Sequence, residues 1–244
     1  RVAVIFATIF NAPKDSWTPS WPEPTYTTQR EAYTLAMQQV DYYHRLADED
    51  PHLRLIHSRA DLDAVLATWA DDVPLTQRQQ GLVILMEGAD PILEPQQFEE
   101  WYARGVRLVG PAWSTTPYAA GNGKEGTLTK QGYELLDVLA SFGAILDISH
   151  LNENASHAAL DAYTGTIIAS HSNPRKFRDT DRHLTDAQIR KLAERGGVMG
   201  IVWYNRFLHP TWTPTDGKAA VTLETVANAI DHVCQLVGSA AHVG

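Results

Sequence analysis

Apolar residues along this chain alternate between short continuous runs and longer stretches with a helical stripe. Val2 to Phe10 is the first run and predicts a strand, rich in β-branched residues. Asn11 to Pro24 carries four prolines with Trp17 and Trp21 and predicts a long loop. From about Thr28 to Ala47, the positions Ala32, Leu35, Ala36, Val40, Tyr43 and Leu46 form the stripe of a helix. Leu53 to His57 predicts a short strand. Ser58 then opens a helix with Asp61 in its first turn and Leu62, Val65, Leu66 and Trp69 facing inward. Gly81 to Met86 is the clearest buried strand, and Glu87 ends it. Helix Gln96 to Arg104 leads into strand Val106 to Val109, and a glycine-rich loop covers Gly110 to Gly126. Helix Lys130 to Phe142 precedes the run Ile145-Leu146-Asp147-Ile148-Ser149-His150. After helix Glu153 to Tyr163 the same design returns in Thr166-Ile167-Ile168-Ala169-Ser170-His171. A charged loop, Asn173 to His183, runs to a helix opened by Thr185, where Gln188 completes a capping box and Gly196 supplies the stop. Val198 to Trp203 predicts a strand ending in Tyr204-Asn205. Thr222 caps the last helix, with Val226, Ala229, Ile230, Val233 and Val237 inside, and a further strand begins at His242-Val243-Gly244.

This βα alternation predicts an α/β fold with a parallel sheet and helices outside it. No Gly-x-Gly-x-x-Gly follows a strand, so a dinucleotide fold has no support. Four polar residues, Glu87, His150, His171 and Tyr204, each end a different predicted strand. In an open sheet, strands about 4.8 Å apart would hold the outer pair far from each other. Closure gathers strand ends around one mouth, so joint action of these residues predicts a TIM-type (β/α)8 barrel, one domain over residues 1–244.

Composition narrows the function. The 244 residues, 44% of them hydrophobic, suffice for one large core. A net charge of −9 without basic clusters excludes a nucleic-acid footprint. No apolar run approaches the roughly 20 residues of a membrane span. Cys234 is the single cysteine, which forbids an internal disulfide, and it falls on the apolar face of the last helix.

A carboxylate at a buried strand tip costs several kcal/mol unless a cation or partner meets it. Glu87 alone reads equally as half of a salt bridge. Beside two strand-tip histidines it reads as a metal ligand, and Glu87, His150 and His171 make a donor set that suits zinc. His44, His52, His57, His157, His209 and His232 lie on helices, in loops or away from the mouth, and read as ordinary structural histidines. Asp147 and Ser149 are candidates to orient His150 from behind, although Asp147 shares strand parity with Ser149 and not with His150.

Glu87-Gly88 after an apolar strand, Asp147-Ile148-Ser149-His150, Ser170-His171-Ser172-Asn173 and Asp181-Arg182 before a capped helix resemble the membrane (renal) dipeptidase family. Gly105-Val106-Arg107-Leu108 and Gly196-Gly197-Val198 match it in order and spacing. The resemblance implies a (β/α)8 barrel with two zinc ions bridged by a glutamate, here Glu87, the second ion being held by His150 and His171. It implies that Arg182 binds the carboxylate of a dipeptide substrate, in keeping with the bidentate reach of a guanidinium. Arg182, Tyr204 and Trp113 are the candidate substrate contacts. The implied reaction is hydrolysis of a peptide bond by a metal-activated hydroxide. A metal-dependent amidohydrolase or lactonase on the same barrel, and a non-catalytic binding homologue, are the alternatives.

Two departures accompany the resemblance. The family's first strand, with a His-x-Asp pair, and its last, with a catalytic aspartate, have no counterpart here. Gly110-Pro111-Ala112-Trp113 stands where many members place a substrate-contacting histidine. The expectation is therefore a fragment that lacks the first and last barrel strands and is inactive by itself. Such a fragment would hold at most one zinc well. Its strands Val2 to Phe10 and Val198 to Trp203 would be open edges that invite self-association as a homodimer.

Overall fold

A computed structural model describes residues 2–16 and 25–244; Trp17 and Trp21 of the expected loop lie outside the described residues. The chain divides into two compact units, Arg1–Val109 and Gly110–Gly244.

In the first unit, β1 (Val4–Phe10) is followed by two short strands, β2 (Ala12–Pro13) and β3 (Thr25–Tyr26), which pair with each other in parallel. Thr28 caps α1 (Gln29–Glu49) through a capping box with Glu31, and Ala32, Ala36 and Val40 of the predicted stripe are buried. The next strand, β4 (Leu53–Leu55), is shorter than predicted. Ser58 then caps α2 (Arg59–Ala67) by accepting from the Asp61 N–H. The central strand is β5 (Gln80–Glu87). It carries β1 along its length in parallel register, Val4 opposite Gly81 through Phe10 opposite Glu87, while β4 pairs with its first residues. Leu82, Ile84, Leu85 and Met86 are all buried, as a strand covered on both faces requires. A 3₁₀ turn at Pro95–Gln97 opens α3 (Phe98–Ala103), whose Phe98 and Trp101 are fully buried, and β6 (Val106–Gly110) closes the unit.

The second unit continues with α4 (Lys130–Ser141), β7 (Ile145–Asp147), α5 (Glu153–Ala162), β8 (Ile167–Ser172), α6 (Asp186–Glu194) and β9 (Met199–Ile201). A short α7 (Asn205–Leu208) and the long α8 (Leu223–Val237) follow. The strand order is β7-β8-β9, all parallel. Leu135, Leu136 and Leu139 of α4, Ala155, Ala159 and Leu160 of α5, Ile189 and Leu192 of α6, and Val226, Ala229 and Val233 of α8 form the buried faces of the helices. The expected α/β class with parallel strands and helices is therefore present.

Three corrections follow. Tyr204 does not end a strand: β9 stops at Ile201, and Tyr204 caps the one-turn α7. His150 does not end a strand either, since β7 stops at Asp147 and His150 sits in the following turn. The edge of β9 is not open. Met199 bridges Val243 in parallel, and the Ile201 N–H donates to the Gly244 carbonyl at 2.8 Å, so the residues read as a beginning strand occupy that edge.

One irregularity shapes the site. Between the pairs Ala169–Met199 and Ser172–Ile201, β8 holds one residue more than β9, a bulge that contains Ser170 and His171. Bulges re-aim side chains and break the simple alternation of a strand. Gly200 faces it, and a Cβ there would lie 2.1 Å from the Ser170 carbonyl oxygen, so only glycine lets the strands approach.

Candidate functional site

His150, His171, Arg182 and Trp113 come together in the second unit. His150 takes a left-handed backbone, φ 70°, the one described non-glycine residue with positive φ. That conformation is uncommon for a side chain of this kind and needs support from its surroundings. Asn122 supplies it twice. The Asn122 N–H donates to the His150 carbonyl at 2.6 Å, and Asn122 Oδ1 lies 3.1 Å from His150 Nδ1. Asn122 is itself placed by the folded loop after β6, where Thr115 bridges Ala120, Ala119 bridges Leu128 and Gly121 bridges Leu151. The neighbouring Gly123 N–H donates to the Asp181 carboxylate at 2.7 Å.

His171 is oriented by a different set. Asp147 is buried, and its Oδ1 accepts the N–H groups of Ser149 at 3.0 Å and Ser170 at 2.9 Å. Its Oδ2 accepts the hydroxyl of Ser170. Ser170 Oγ in turn lies 2.7 Å from His171 Nδ1, and Ser149 Oγ accepts the His171 backbone N–H at 3.1 Å. Asp147 and Ser149 thus act on His171, across the sheet, and not on His150 as the sequence suggested.

These contacts decide where the imidazole hydrogens reside. Asn122 Oδ1 has no hydrogen to give, so His150 Nδ1–H donates to it. Ser170 gives its only hydroxyl hydrogen to Asp147, so His171 Nδ1–H donates to Ser170 Oγ. In the neutral rings both Nε2 atoms then carry lone pairs. They face each other at 2.9 Å, with ring centroids 4.9 Å apart. Two lone pairs do not bond each other; a positive partner relieves their repulsion, and the Arg182 Nη2 hydrogen 3.0 Å from His150 Nε2 is one such partner here. Two nitrogens on one tetrahedral zinc would be about 3.3 Å apart, so the pair is close to the spacing that such an ion needs. Nδ1 held by a protein acceptor and Nε2 presented outward is the usual state of a metal-binding histidine.

Arg182 is buried, although its loop is rich in charge. Its Nη1 donates to Ser172 Oγ at 3.1 Å. Its Nη2 donates to the His171 carbonyl at 2.8 Å and to His150 Nε2 at 3.0 Å. The Trp113 ring borders His150 at 6.0 Å between centroids. Tyr204 is 47% exposed and touches the Phe207 ring, not the histidines. Asn173 is fully buried and pins the end of β9, its amide exchanging bonds of 2.7 and 3.1 Å with the Val202 backbone.

Glu87 is the last residue of β5 in the first unit, half-buried, and precedes Gly88 at φ 91°. In the same loop Asp90 is buried. Burial pushes its carboxyl up to about 6, against a downward pull from Tyr26.

Residues 2–244 match the family described as membrane dipeptidase, peptidase family M19. The chain belongs to that family. An uncharacterized protein in the PQQ-III 3′ region of Acinetobacter calcoaceticus is 27% identical over 222 residues, which cover 86% of this chain and 67% of that protein. Dipeptidase 3 of Rattus norvegicus is 24% identical over 225 residues, covering 88% of this chain but only 42% of the relative. This membrane dipeptidase homologue therefore spans well under half of the rat protein's length. In fold it resembles a metallo peptidase from Rhodobacter sphaeroides, solved with a phosphinate mimic of the dipeptide L-Ala-D-Ala. The TM-score is 0.80 at 22% identity, over 98% of this chain and 71% of that one.

Sequence reasoning missed Asn122 and Ser170 as orienting residues, and Phe207, whose ring faces the Arg182 guanidinium. Asn122 lies in a glycine-rich loop with no periodic signal. Only the repeated Ser-His pairs hinted that the serine before a histidine has a task.

Proposed function

We propose that the protein is a metal-dependent dipeptidase in which Glu87, His150 and His171 hold a metal ion. What carries this reading is the pair of imidazoles whose Nδ1 hydrogens are engaged elsewhere and whose Nε2 lone pairs converge. The donor set of two nitrogens and a carboxylate oxygen suits zinc. A metal bound there supplies an activated water and polarises the scissile carbonyl. The chain's own residues do the rest. Asn122 and the Asp147–Ser170 pair hold the two rings in their ligand form. Arg182, buried and rigidly placed, receives the C-terminal carboxylate and so fixes the length of the peptide. Trp113 and Tyr204 border the substrate. We also read the parallel strands as parts of a (β/α)8 barrel, which the family resemblance and the likeness to the Rhodobacter metallopeptidase support.

The test is metal content and turnover together. Purified protein is expected to hold zinc, to hydrolyse free dipeptides and to leave simple lactones intact; such turnover would overturn the expectation, drawn from the sequence, that residues 1–244 are inactive by themselves. His171→Ala is expected to lose both the metal and the turnover. Lactone hydrolysis without dipeptide hydrolysis would favour an amidohydrolase or lactonase, and tight zinc without either activity would favour a binding homologue.

A further inference from the structure

Beyond β9 the chain folds back toward the Arg182 loop. Arg178 ties the two together, its Nη1 donating to the carbonyls of Arg206 at 2.9 Å and His209 at 3.3 Å. This brings Phe207 of α7 against Arg182, whose guanidinium carbon lies 5.3 Å from the ring centroid. The same ring meets His183 edge-on at 4.8 Å and 79°, and Tyr204 at 5.1 Å and 71°. His183 is buried, and neither of its ring nitrogens has a hydrogen-bond partner among the described residues. Burial first, then the cationic neighbours Arg182, Arg178 and Arg175, hold this imidazole in its neutral form, far below the ordinary histidine range, at about 3. It behaves here as one more ring in an aromatic stack.

Hydrogen bonds from a guanidinium lie in its plane and resist rotation within that plane. Those of Arg182 to Ser172, His171 and His150 do this. Tilting out of the plane is resisted by what touches the face, and an aromatic ring attracts the cation as well as blocking it. We propose that Phe207, backed by His183, is the positioning residue that fixes the tilt of Arg182 and thereby sets how strongly the enzyme prefers a free C-terminal carboxylate. The proposal rests on the dipeptidase reading for its link to specificity; the positioning itself does not.

The experiment compares Phe207→Leu, which keeps an apolar volume without the ring, with Phe207→Tyr, which keeps the ring. The first measurement is the ratio of kcat/KM for a free dipeptide to that for its amide, in zinc-loaded protein. Phe207→Leu is expected to lower the ratio about three- to tenfold, the range of a partly desolvated cation–π contact, mainly through KM for the free dipeptide. Phe207→Tyr is expected to restore it, and thermal midpoints to stay close to that of the parent. The second measurement, independent of turnover, is the Arg182 guanidinium signal in nitrogen-detected NMR. It should be ring-shifted with slow Nη exchange in the parent and Phe207→Tyr, and unshifted and averaged in Phe207→Leu. An unchanged ratio in Phe207→Leu overturns the link to specificity, and unchanged signals overturn the positioning. A parent that hydrolyses neither substrate defeats the dipeptidase reading, while the NMR comparison still decides the role of Phe207.

Discussion

On the proposed metal reading, Asp147→Asn is a near-isosteric change that should switch His171 from the ligand tautomer to a blocking one. Asp147 Oδ1 faces two backbone N–H groups, those of Ser149 and Ser170, whose direction is fixed. An asparagine must turn its single oxygen toward them and its NH2 toward Ser170 Oγ. Ser170 then accepts a hydrogen where it used to donate one, and its own hydroxyl hydrogen turns to His171 Nδ1. The imidazole proton moves to Nε2, where it points at His150 Nε2, 2.9 Å away. Loss of such an orienting partner typically costs about 10–100-fold in metal affinity, and a proton on the ligating nitrogen places this variant at the upper end. Stability responds much less. Three bonds weaken by about 1 kcal/mol each as the acceptor loses its charge, partly offset because a buried charge disappears. A net loss of about 1–2 kcal/mol lowers the midpoint of a chain this long by about 2–8 °C. Competition with a chromogenic chelator reads the zinc affinity, and nitrogen NMR of the metal-free imidazoles reads the tautomers. Zinc affinity within twofold of the parent, or His171 still protonated at Nδ1, would refute the relay.

Two further outcomes are expected. Arg182→Ala should reduce kcat/KM on free dipeptides about 100-fold, the equivalent of roughly 3 kcal/mol for a desolvated charged contact, and reduce it far less on dipeptide amides; equal losses on both would assign Arg182 to structure alone. Asp90 carries a carboxyl raised to about 6 in the folded chain from an ordinary value near 3.8, chiefly by burial. The folded state therefore holds that proton more tightly than the unfolded one. The group's contribution is full below about pH 4 and is lost as pH rises through about 6, a cost of about 3 kcal/mol at neutrality. Asp90→Asn should raise denaturant stability at pH 7 and leave it nearly unchanged at pH 4, so an equal change at both values would contradict the assignment.

Much of the fold was legible because its signals are local. Ser58, Thr185 and Thr222 cap the helices that they were expected to open, and the run around Ile84 could only be a strand buried on both faces. His150, His171 and Arg182 were found from their places at strand ends and from family resemblance, and the structure gathers all three. What could not be read depended on tertiary register. Parity along Ile145–His150 already set Asp147 apart from His150, but nothing local showed that a bulge in the neighbouring strand would bring Ser170 and His171 to it instead. The burial of Arg182 was not legible, because its loop is rich in charge and its contacts with Phe207 and Ser172 are made by the fold and not by local sequence. Tyr204 looked like a strand tip because apolar residues continue past Ile201, where the ladder has already ended.

On the proposed reading of His150 as a zinc ligand, its left-handed backbone sets stability against function at a single position. Glycine there would relieve about 1–2 kcal/mol of backbone strain while deleting the imidazole. A library selected for heat resistance without metal would therefore drift toward glycine or asparagine at position 150 and return sturdy proteins stripped of a ligand. Selection in the presence of zinc would reverse that drift, because the ion rewards the histidine only when it is there to be bound. Thermostabilisation of this protein should accordingly be run on the metal-loaded form, with position 150 held constant.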